Sequence, residues 1–227
     1  MVNLALFGAT GGLGTQLEKK LKNNYKVYAL GSKDVDVTSF DEVKYFFQKT
    51  PTDIVINFSG YNFDSFIHKY NHKNINEIEK SIRVNIQGNL NILINCLPYM
   101  RKNKYRRIIL ASSVLSNRPI AGVSVYAGCK AFLDNLVKTT SIENLSLGIT
   151  CNSINPGYFD GGLTHRIPKH LRSGIIERIP LKRFGNIEEL YNTIKYIIKT
   201  EYISGTSIEI NGGIIWWNMK MLKKIFT

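Results

Sequence analysis

Acidic residues are scarce in this 227-residue chain: 17 Asp and Glu stand against 30 Lys and Arg, for a net charge of +13 at neutral pH. Such an imbalance invites a nucleic-acid or membrane partner. No nucleic-acid motif accompanies it, however, and the heavy use of Lys, Asn and Ile along the whole chain accounts for the charge as compositional bias; neither partner is expected. Cysteine is scarce too. Cys96, Cys129 and Cys151 are odd in number and have no CxxC spacing, so a disulfide framework or a zinc site is not expected and a reducing cytoplasm is. His165 and His170 have no acidic or cysteine neighbours at ligand spacing, so no metal is expected. No apolar run approaches the roughly 18 to 20 residues that cross a bilayer. The start, Met1 to Phe7, has no basic leader or small-residue cleavage site and reads as a first strand, not a secretion signal. Linkers, repeats and low-complexity segments are also missing, so residues 1–227 are expected to form one domain.

What is present is core material: 44% of residues are hydrophobic, which excludes general disorder. Short apolar runs alternate with amphipathic stretches. Val2 to Phe7, Tyr25 to Leu30, Asp53 to Phe58, Arg106 to Ala111, Ile149 to Ile154 and Ser207 to Ile210 read as strands. Helices are predicted from Leu13 to Leu21, from Phe40 after a capping box at Ser39-Phe40-Asp41-Glu42, and over Ile75 to about Met100, Ser124 to Leu145 and Ile187 to Lys199. Near-continuous apolar strands alternating with helices indicate a parallel sheet covered on both faces. The expected class is therefore α/β, a Rossmann-type doubly wound sheet in three layers. One interval is short. Only a few residues separate Leu30 from Asp34-Val35-Asp36-Val37, too few for a parallel crossover. Either that tetrapeptide is not a full strand or a tight extended link replaces the usual helix, which shortens the fold between its second and third strands.

Two clusters carry chemistry. Phe7-Gly8-Ala9-Thr10-Gly11-Gly12-Leu13-Gly14 lies between a strand and a helix, where glycines permit a tight turn and let a dinucleotide pyrophosphate approach backbone N–H groups. Tyr126-Ala127-Gly128-Cys129-Lys130 lies early in a helix, and residues four apart share a face. An ammonium there would lower the phenol pKa and make Tyr126 a usable proton donor near neutrality. Ser113, thirteen residues upstream, stands at the carboxyl end of a buried strand, the position at which open α/β sheets bind ligands.

Taken together, these residues resemble a single-domain short-chain dehydrogenase/reductase, similar to the 3-oxoacyl-(acyl-carrier-protein) reductases. Gly8, Gly12 and Gly14 match the family's glycine turn, with Phe7 in place of its usual threonine. Asp36-Val37 matches its adenine-contacting motif, and Asn57-Phe58-Ser59-Gly60 its NNAG, with Phe58 and Ser59 as departures. Asn85, Ser113, Tyr126 and Lys130 match its catalytic set, and Asn155-Pro156-Gly157 the turn beside the nicotinamide. Pro180 to Gly185, Tyr202 to Thr206 and Asn211 to Gly213 echo the carboxy-terminal signature of the acyl-carrier-protein reductases. The resemblance implies an oxidoreductase that moves a hydride between NAD(P)(H) and a carbonyl or secondary alcohol. Tyr126 would act as acid/base, Ser113 would bind the developing alkoxide, Lys130 would hold the ribose, and Asn85 would hold a water for proton resupply. The expected cofactor contacts come from Gly8, Thr10, Gly11, Gly12, Leu13, Gly14, Ser32, Lys33, Asp36, Val37, Asn57, Ser59, Gly60, Tyr126, Lys130, Pro156, Gly157 and Phe159. It further implies a homodimer or homotetramer.

Departures from the pattern shape the finer expectations. Gly31-Ser32-Lys33 ends the second strand without an acid to accept ribose hydroxyls, so NADP(H) is favoured over NAD(H). Gly161 stands where the family has a threonine for the carboxamide, with Thr164 as a substitute if the loop bends. The segment from Thr164 to Arg183 is basic, as a lid over an anionic substrate would be: a 3-oxoacyl thioester on a carrier or a sugar derivative. Residues 214–227 mix Trp with Lys and are expected at a subunit interface rather than on lipid. A catalytically weak nucleotide-binding subunit and a sugar-nucleotide epimerase or dehydratase are the competing readings. The retained Asn85, Ser113, Tyr126 and Lys130 disfavour the first, and the lack of room for a second domain disfavours the other.

Overall fold

The computed structural model describes residues 1–102, 105–162, 164 and 167–214. Six strands form one all-parallel sheet: β1 (Asn3–Phe7), β2 (Lys26–Leu30), β3 (Ile54–Asn57), β4 (Arg106–Ala111), β5 (Ile149–Pro156) and β6 (Ser207–Ile210), in the spatial order β2-β1-β3-β4-β5-β6. Alternate side chains of β1 point to opposite faces. Ala5 and Phe7 join a core with Val43, Phe46 and Phe47 of α2 (Phe40–Lys49), Ile92 and Cys96 of α4 (Gly88–Met100), and Leu133 and Val137 of α5 (Ser124–Asn144). Leu4 and Leu6 join a second core with Leu17 and Leu21 of α1 (Gly12–Leu21) and Leu190, Ile194 and Ile197 of α7 (Ile187–Lys199). Two helical layers thus sandwich the sheet, as expected for a Rossmann-type doubly wound fold.

Asp34 to Val37 is not a strand. The chain turns at once after β2, with the N–H groups of Asp34 and Val35 donating to the Gly31 carbonyl, and β2 is left as the sheet edge. Val35 and Val37 are buried in the first core, which explains their strand-like apolar character. The Ser39 side chain caps α2 by accepting from the Glu42 N–H at 3.3 Å, but the Glu42 carboxylate accepts from Asp36 N at 2.8 Å. The expected box is therefore half formed, and its acid staples the preceding turn instead.

The single helix expected from Ile75 to Met100 is continuous but irregular. α3 (Ile75–Ile82) runs into a π turn, Arg83–Gln87, and then into α4. Such π turns often occur at functional sites, and this one carries Asn85. In the segment expected to be rich in turns, α6 (Lys169–Arg178) forms a further helix. Of the tail 214–227, Ile214 is buried; its expected interface role otherwise lies outside the described residues, as do His165 and Arg166.

Candidate active site

Strands β1, β3, β4 and β5 end level with one another at the carboxyl edge of the sheet. There the chain leaves β1 for α1 on one face and β3 for the other, the crevice in which open α/β sheets hold ligands. The glycine turn closes tightly against this edge. Gly8 has a φ of +75°, and a Cβ on it would sit 2.5 Å from Ser59 N. A Cβ on Gly14 would sit 2.1 Å from the Gly8 carbonyl oxygen. Thr10, Gly11 and Gly12 are exposed and Leu13 is half-buried, which leaves the start of α1 open to an anionic group.

Across the crevice, Asn57 folds β3 into the next loop. Its Oδ1 accepts from Ser59 N at 2.8 Å, and its amide donates to Asn89 Oδ1 at 2.8 Å. Gly60, exposed, lies beside two buried groups: a Cβ there would be 3.3 Å from Asn85 Oδ1 and 3.7 Å from Lys130 Nζ. The Asn85 amide donates to the Tyr61 carbonyl at 2.6 Å and the Ser81 carbonyl at 2.9 Å. Its Oδ1, fully buried, has no partner. An orphaned buried acceptor costs about 1–3 kcal/mol, so this one calls for a donor such as a water or a sugar hydroxyl.

Ser113 follows β4 and opens the short turn Val114–Ser116, where its Oγ accepts from Leu115 N at 3.2 Å. Ser112, its neighbour, donates to the Lys130 carbonyl at 2.9 Å and so ties β4 to α5. Lys130 Nζ donates to the Ala111 carbonyl at 2.7 Å and lies 5.3 Å from the Tyr126 ring centre. Ser113 stands close enough to Tyr126 for its side chain to favour the ionised phenol. Asn85, Ser113, Tyr126 and Lys130 therefore converge on one side of the crevice, opposite the glycine turn.

The electrostatics correct one expectation. Burial pushes the Tyr126 phenol above its ordinary value, with Asp64 and Cys129 adding to the rise and the Ser113 side chain opposing it. Lys130 does not offset this: its ammonium lies over the ring and is bonded to Ala111 rather than to the phenol oxygen. Burial also pushes Lys130 down to about 8, with Cys129 and Asp134 pulling it back. Both groups are thus held neutral more readily than in water. A polar or charged guest that brings new donors into the crevice would be needed to reverse that.

Other expected contacts fall differently. Ser32 and Lys33 are exposed just past the end of β2, and a Cβ on Gly31 would lie 2.5 Å from Thr10 Cγ2, so this turn abuts the glycine turn. Asp36 is half-buried and accepts from Thr38 N and Thr38 Oγ1, both at 2.9 Å. Val37 and Phe159 are placed in the two cores at 7% and 2% exposure. The Phe159 ring packs beneath Gly185, where a Cβ would be 2.8 Å away. These two side chains face away from the crevice, which leaves only their backbone for a ligand. Pro156 and Gly157 are half-buried at the end of β5, and Gly157 packs on Asn211, 3.0 Å from a would-be Cβ. Gly161, with a φ of +143°, and Gly162 lie on α1: a Cβ on Gly12 would be 2.3 Å from Gly162 N. The positive φ of Gly161, with Gln16 Nε2 2.6 Å from a would-be Cβ, disfavours a threonine there. Thr164 is buried.

Sequence reasoning passed over Asp134, Ser116 and Ser153, which meet Asn155 in a largely buried cluster beneath this site. The available signal was an acid four residues after Lys130, on the same helical face.

Comparison with known proteins agrees with this architecture. A family model described as enoyl-(acyl carrier protein) reductase matches residues 5–215. The chain belongs to the short-chain dehydrogenase/reductase family. It is accordingly an oxidoreductase that depends on a nicotinamide cofactor. The 3-oxoacyl-(acyl-carrier-protein) reductase FabG of Staphylococcus epidermidis is 27% identical, over 91% of this chain and 96% of that protein. FabG of Rickettsia felis is 26% identical, over 92% and 94%, and FabG of Thermotoga maritima 29% identical, over 80% and 75%. A crystal structure provisionally assigned as a gluconate dehydrogenase of Agrobacterium tumefaciens superimposes with a TM-score of 0.83 at 21% identity, over 96% and 97% of the two chains. Its likeness establishes the fold. No helix among the described residues is long and apolar enough to cross a membrane.

Proposed function

We propose that this short-chain dehydrogenase/reductase reduces an anionic carbonyl compound, with Tyr126 as the proton donor. The observation that carries the proposal is the Lys130 ammonium 5.3 Å from the Tyr126 ring, with Ser113 beside the phenol and the unpartnered Asn85 Oδ1 near Lys130 across Gly60. The crevice fits a dinucleotide. The start of α1 is open, Gly8 and Gly14 leave no room for side chains, and an orphaned acceptor adjoins the buried lysine. Gly11, Gly12 and Leu13 would hold the pyrophosphate, Asp36 the adenine side, and Lys130, Asn57 and Gly60 the nicotinamide ribose.

The nicotinamide, when bound, supplies the hydride. The chain's own residues do the rest. Ser113 Oγ and Tyr126 Oη orient the carbonyl oxygen, and Ser113 stabilises the negative charge that develops there. Tyr126 then gives up its proton. Burial holds the phenol neutral, so the donors that the bound cofactor brings would, together with Lys130, have to favour the phenolate left behind, and a water on Asn85 Oδ1 would resupply the proton through Lys130.

Two features support an anionic substrate, a carrier-linked 3-oxoacyl thioester or a sugar derivative. Lys169 and His170 are exposed on α6, and Arg178 lies near Tyr158, where its charge opposes the rise that burial imposes on the phenol. Arg183, expected in the same basic lid, is instead committed to Glu189 by bonds of 2.6 and 2.9 Å. A preference for NADP(H) is supported by exposed Ser32 and Lys33. The specific observation favouring NAD(H) is Asp34, whose carboxylate folds back to accept from Gly31 N at 2.8 Å, at the end of β2. A homo-oligomer is supported by Ile94 on α4 and Phe132 on α5, which are 53% and 37% exposed.

The test is a panel of carbonyl compounds, including acetoacetyl thioesters and keto sugar acids, assayed with NADPH and with NADH. Oxidation of reduced cofactor by an anionic member is the expected result. Tight cofactor binding with no oxidation across the panel would overturn the reading in favour of a nucleotide-binding subunit.

A further inference from the structure

Beneath the proposed site lies a carboxylate that none of the roles above uses. Asp134 stands one helical turn after Lys130 on α5 and is 7% exposed. Its neighbours are neutral donors from two other segments. Oδ1 accepts from Ser153 Oγ at 2.8 Å, and Oδ2 accepts from Asn155 Nδ2 at 2.9 Å and from Ser116 Oγ. Ser116 Oγ also lies 2.8 Å from the Ser113 carbonyl oxygen, and Asn155 Nδ2 lies 3.1 Å from Ser116 Oγ. Ser153 reaches on to Ser207 of β6 at 2.8 Å.

The elements joined are the informative part. Ser116 closes the turn that Ser113 opens, Asn155 immediately precedes Pro156-Gly157, and Asp134 shares its helix with Tyr126 and Lys130. One buried carboxylate therefore ties together the three segments that present the carbonyl-binding serine, the proton donor with its lysine, and the turn at the end of β5. Burying a lone carboxylate is expensive, and hydrophobic packing would serve a purely structural purpose at lower cost. The placement of a charge at this junction points to a use for it.

We propose that Asp134 is a positioning residue for the reaction: it sets Ser113 against Tyr126 through Ser116 and sets a carboxylate one helical turn from Lys130. This rests on the functional reading above. The groups facing Lys130 are Tyr126, Cys129 and Asp134 from its own helix, the Ala111 carbonyl from β4, and the uncharged Asn85 beside Gly60. Burial opposes the Lys130 ammonium; Cys129 and then Asp134, the carboxylate in this set, favour it.

The experiment compares wild type, Asp134→Asn and Ser116→Ala. The Lys130 side chain is titrated by NMR in protein labelled at the lysine ε-carbon, a readout that needs no substrate. In Asp134→Asn the Lys130 titration should move down by about one pH unit, the size typical of losing a nearby opposite charge. In Ser116→Ala it should stay in place. Where turnover is measurable, kcat should fall about ten- to a hundred-fold in both variants, the scale of a displaced reacting group, with cofactor KM little changed. An unmoved Lys130 titration in folded Asp134→Asn overturns the inference, and so does a fall in kcat that merely follows a lowered Tm. If wild type turns over no carbonyl while the titration still moves, the functional reading fails and the electrostatic link to Lys130 stands. If wild type is active and both variants match it, the inference alone fails.

Discussion

At the ends of β4 and β5, polar side chains are tied to residues far away in the chain. Ser112 reaches Lys130 across 18 positions, Lys130 reaches Ala111 across 19, and Asn155 reaches Asp134 across 21. At the end of β2 the bonds are local. Asp34 holds Gly31 across three positions, and Asp36 holds Thr38 across two. The first region is assembled only when the fold is complete, and most of its polar atoms are buried and spoken for. The second is a chain of tight turns at the sheet edge, exposed at Ser32, Lys33 and Asp34. The difference indicates a division of labour. On the proposed function, proton chemistry is specified by tertiary structure and tolerates little change, whereas cofactor choice would rest on a few exposed side chains that can be exchanged at small cost.

The largest expected effect on stability lies in the glycine turn between the two regions. Gly14→Ala would push a Cβ to 2.1 Å from the Gly8 carbonyl oxygen, an overpacking that costs about 1–3 kcal/mol or more. A lowered denaturation midpoint together with lost cofactor affinity would show it. Gly128→Ala is the contrast within α5: nothing lies within 4 Å of its would-be Cβ. Replacing a mid-helix glycine should raise stability by about 0.5–1 kcal/mol.

Next in size is the pH dependence. Lys130 is depressed to about 8 by burial, and the proton resupply proposed for it needs its protonated form. Carbonyl reduction should therefore be level below that pH and fall about tenfold per unit above it, while alcohol oxidation rises over the same range. A reduction rate that stays flat to pH 10 would remove Lys130 from the proton path.

The smallest effects belong to the β2 edge. Lys33→Ala should shift the ratio of kcat/KM for NADPH over NADH downward, and Asp34→Asn should shift it upward, each by a factor of about 3 to 10, the range of one exposed charge. Whichever substitution has the larger effect identifies the preference that the two exposed side chains oppose. Equal, negligible shifts would place cofactor choice elsewhere.

The pattern of what could be read in advance follows the same division. Ile187–Lys199 and Ser207–Ile210 have the bounds expected from periodicity, because an amphipathic helix and a short apolar strand each declare themselves within a few residues. The glycine turn was legible from its strand-turn-helix context. The π turn at Arg83–Gln87 was not, since it leaves the apolar pattern of a long helix almost unaltered while moving Asn85 inward. Whether Asp34 to Val37 was a strand stayed open because Val35 and Val37 are apolar core residues, although the backbone there only turns. Asp134 escaped because its meaning depends on Ser116, Ser153 and Asn155, which meet it only through the folded sheet.

The central claim is that the Tyr126 hydroxyl delivers the proton in a crevice that binds the cofactor without its help. Its most direct measurement pairs cofactor titration with single-turnover oxidation in wild type and Tyr126→Phe. Removal of the hydroxyl should leave the cofactor Kd within about twofold and lower the single-turnover rate about 10²- to 10⁴-fold. A Tyr126→Phe protein that oxidises bound cofactor at the wild-type rate in the presence of substrate would contradict it.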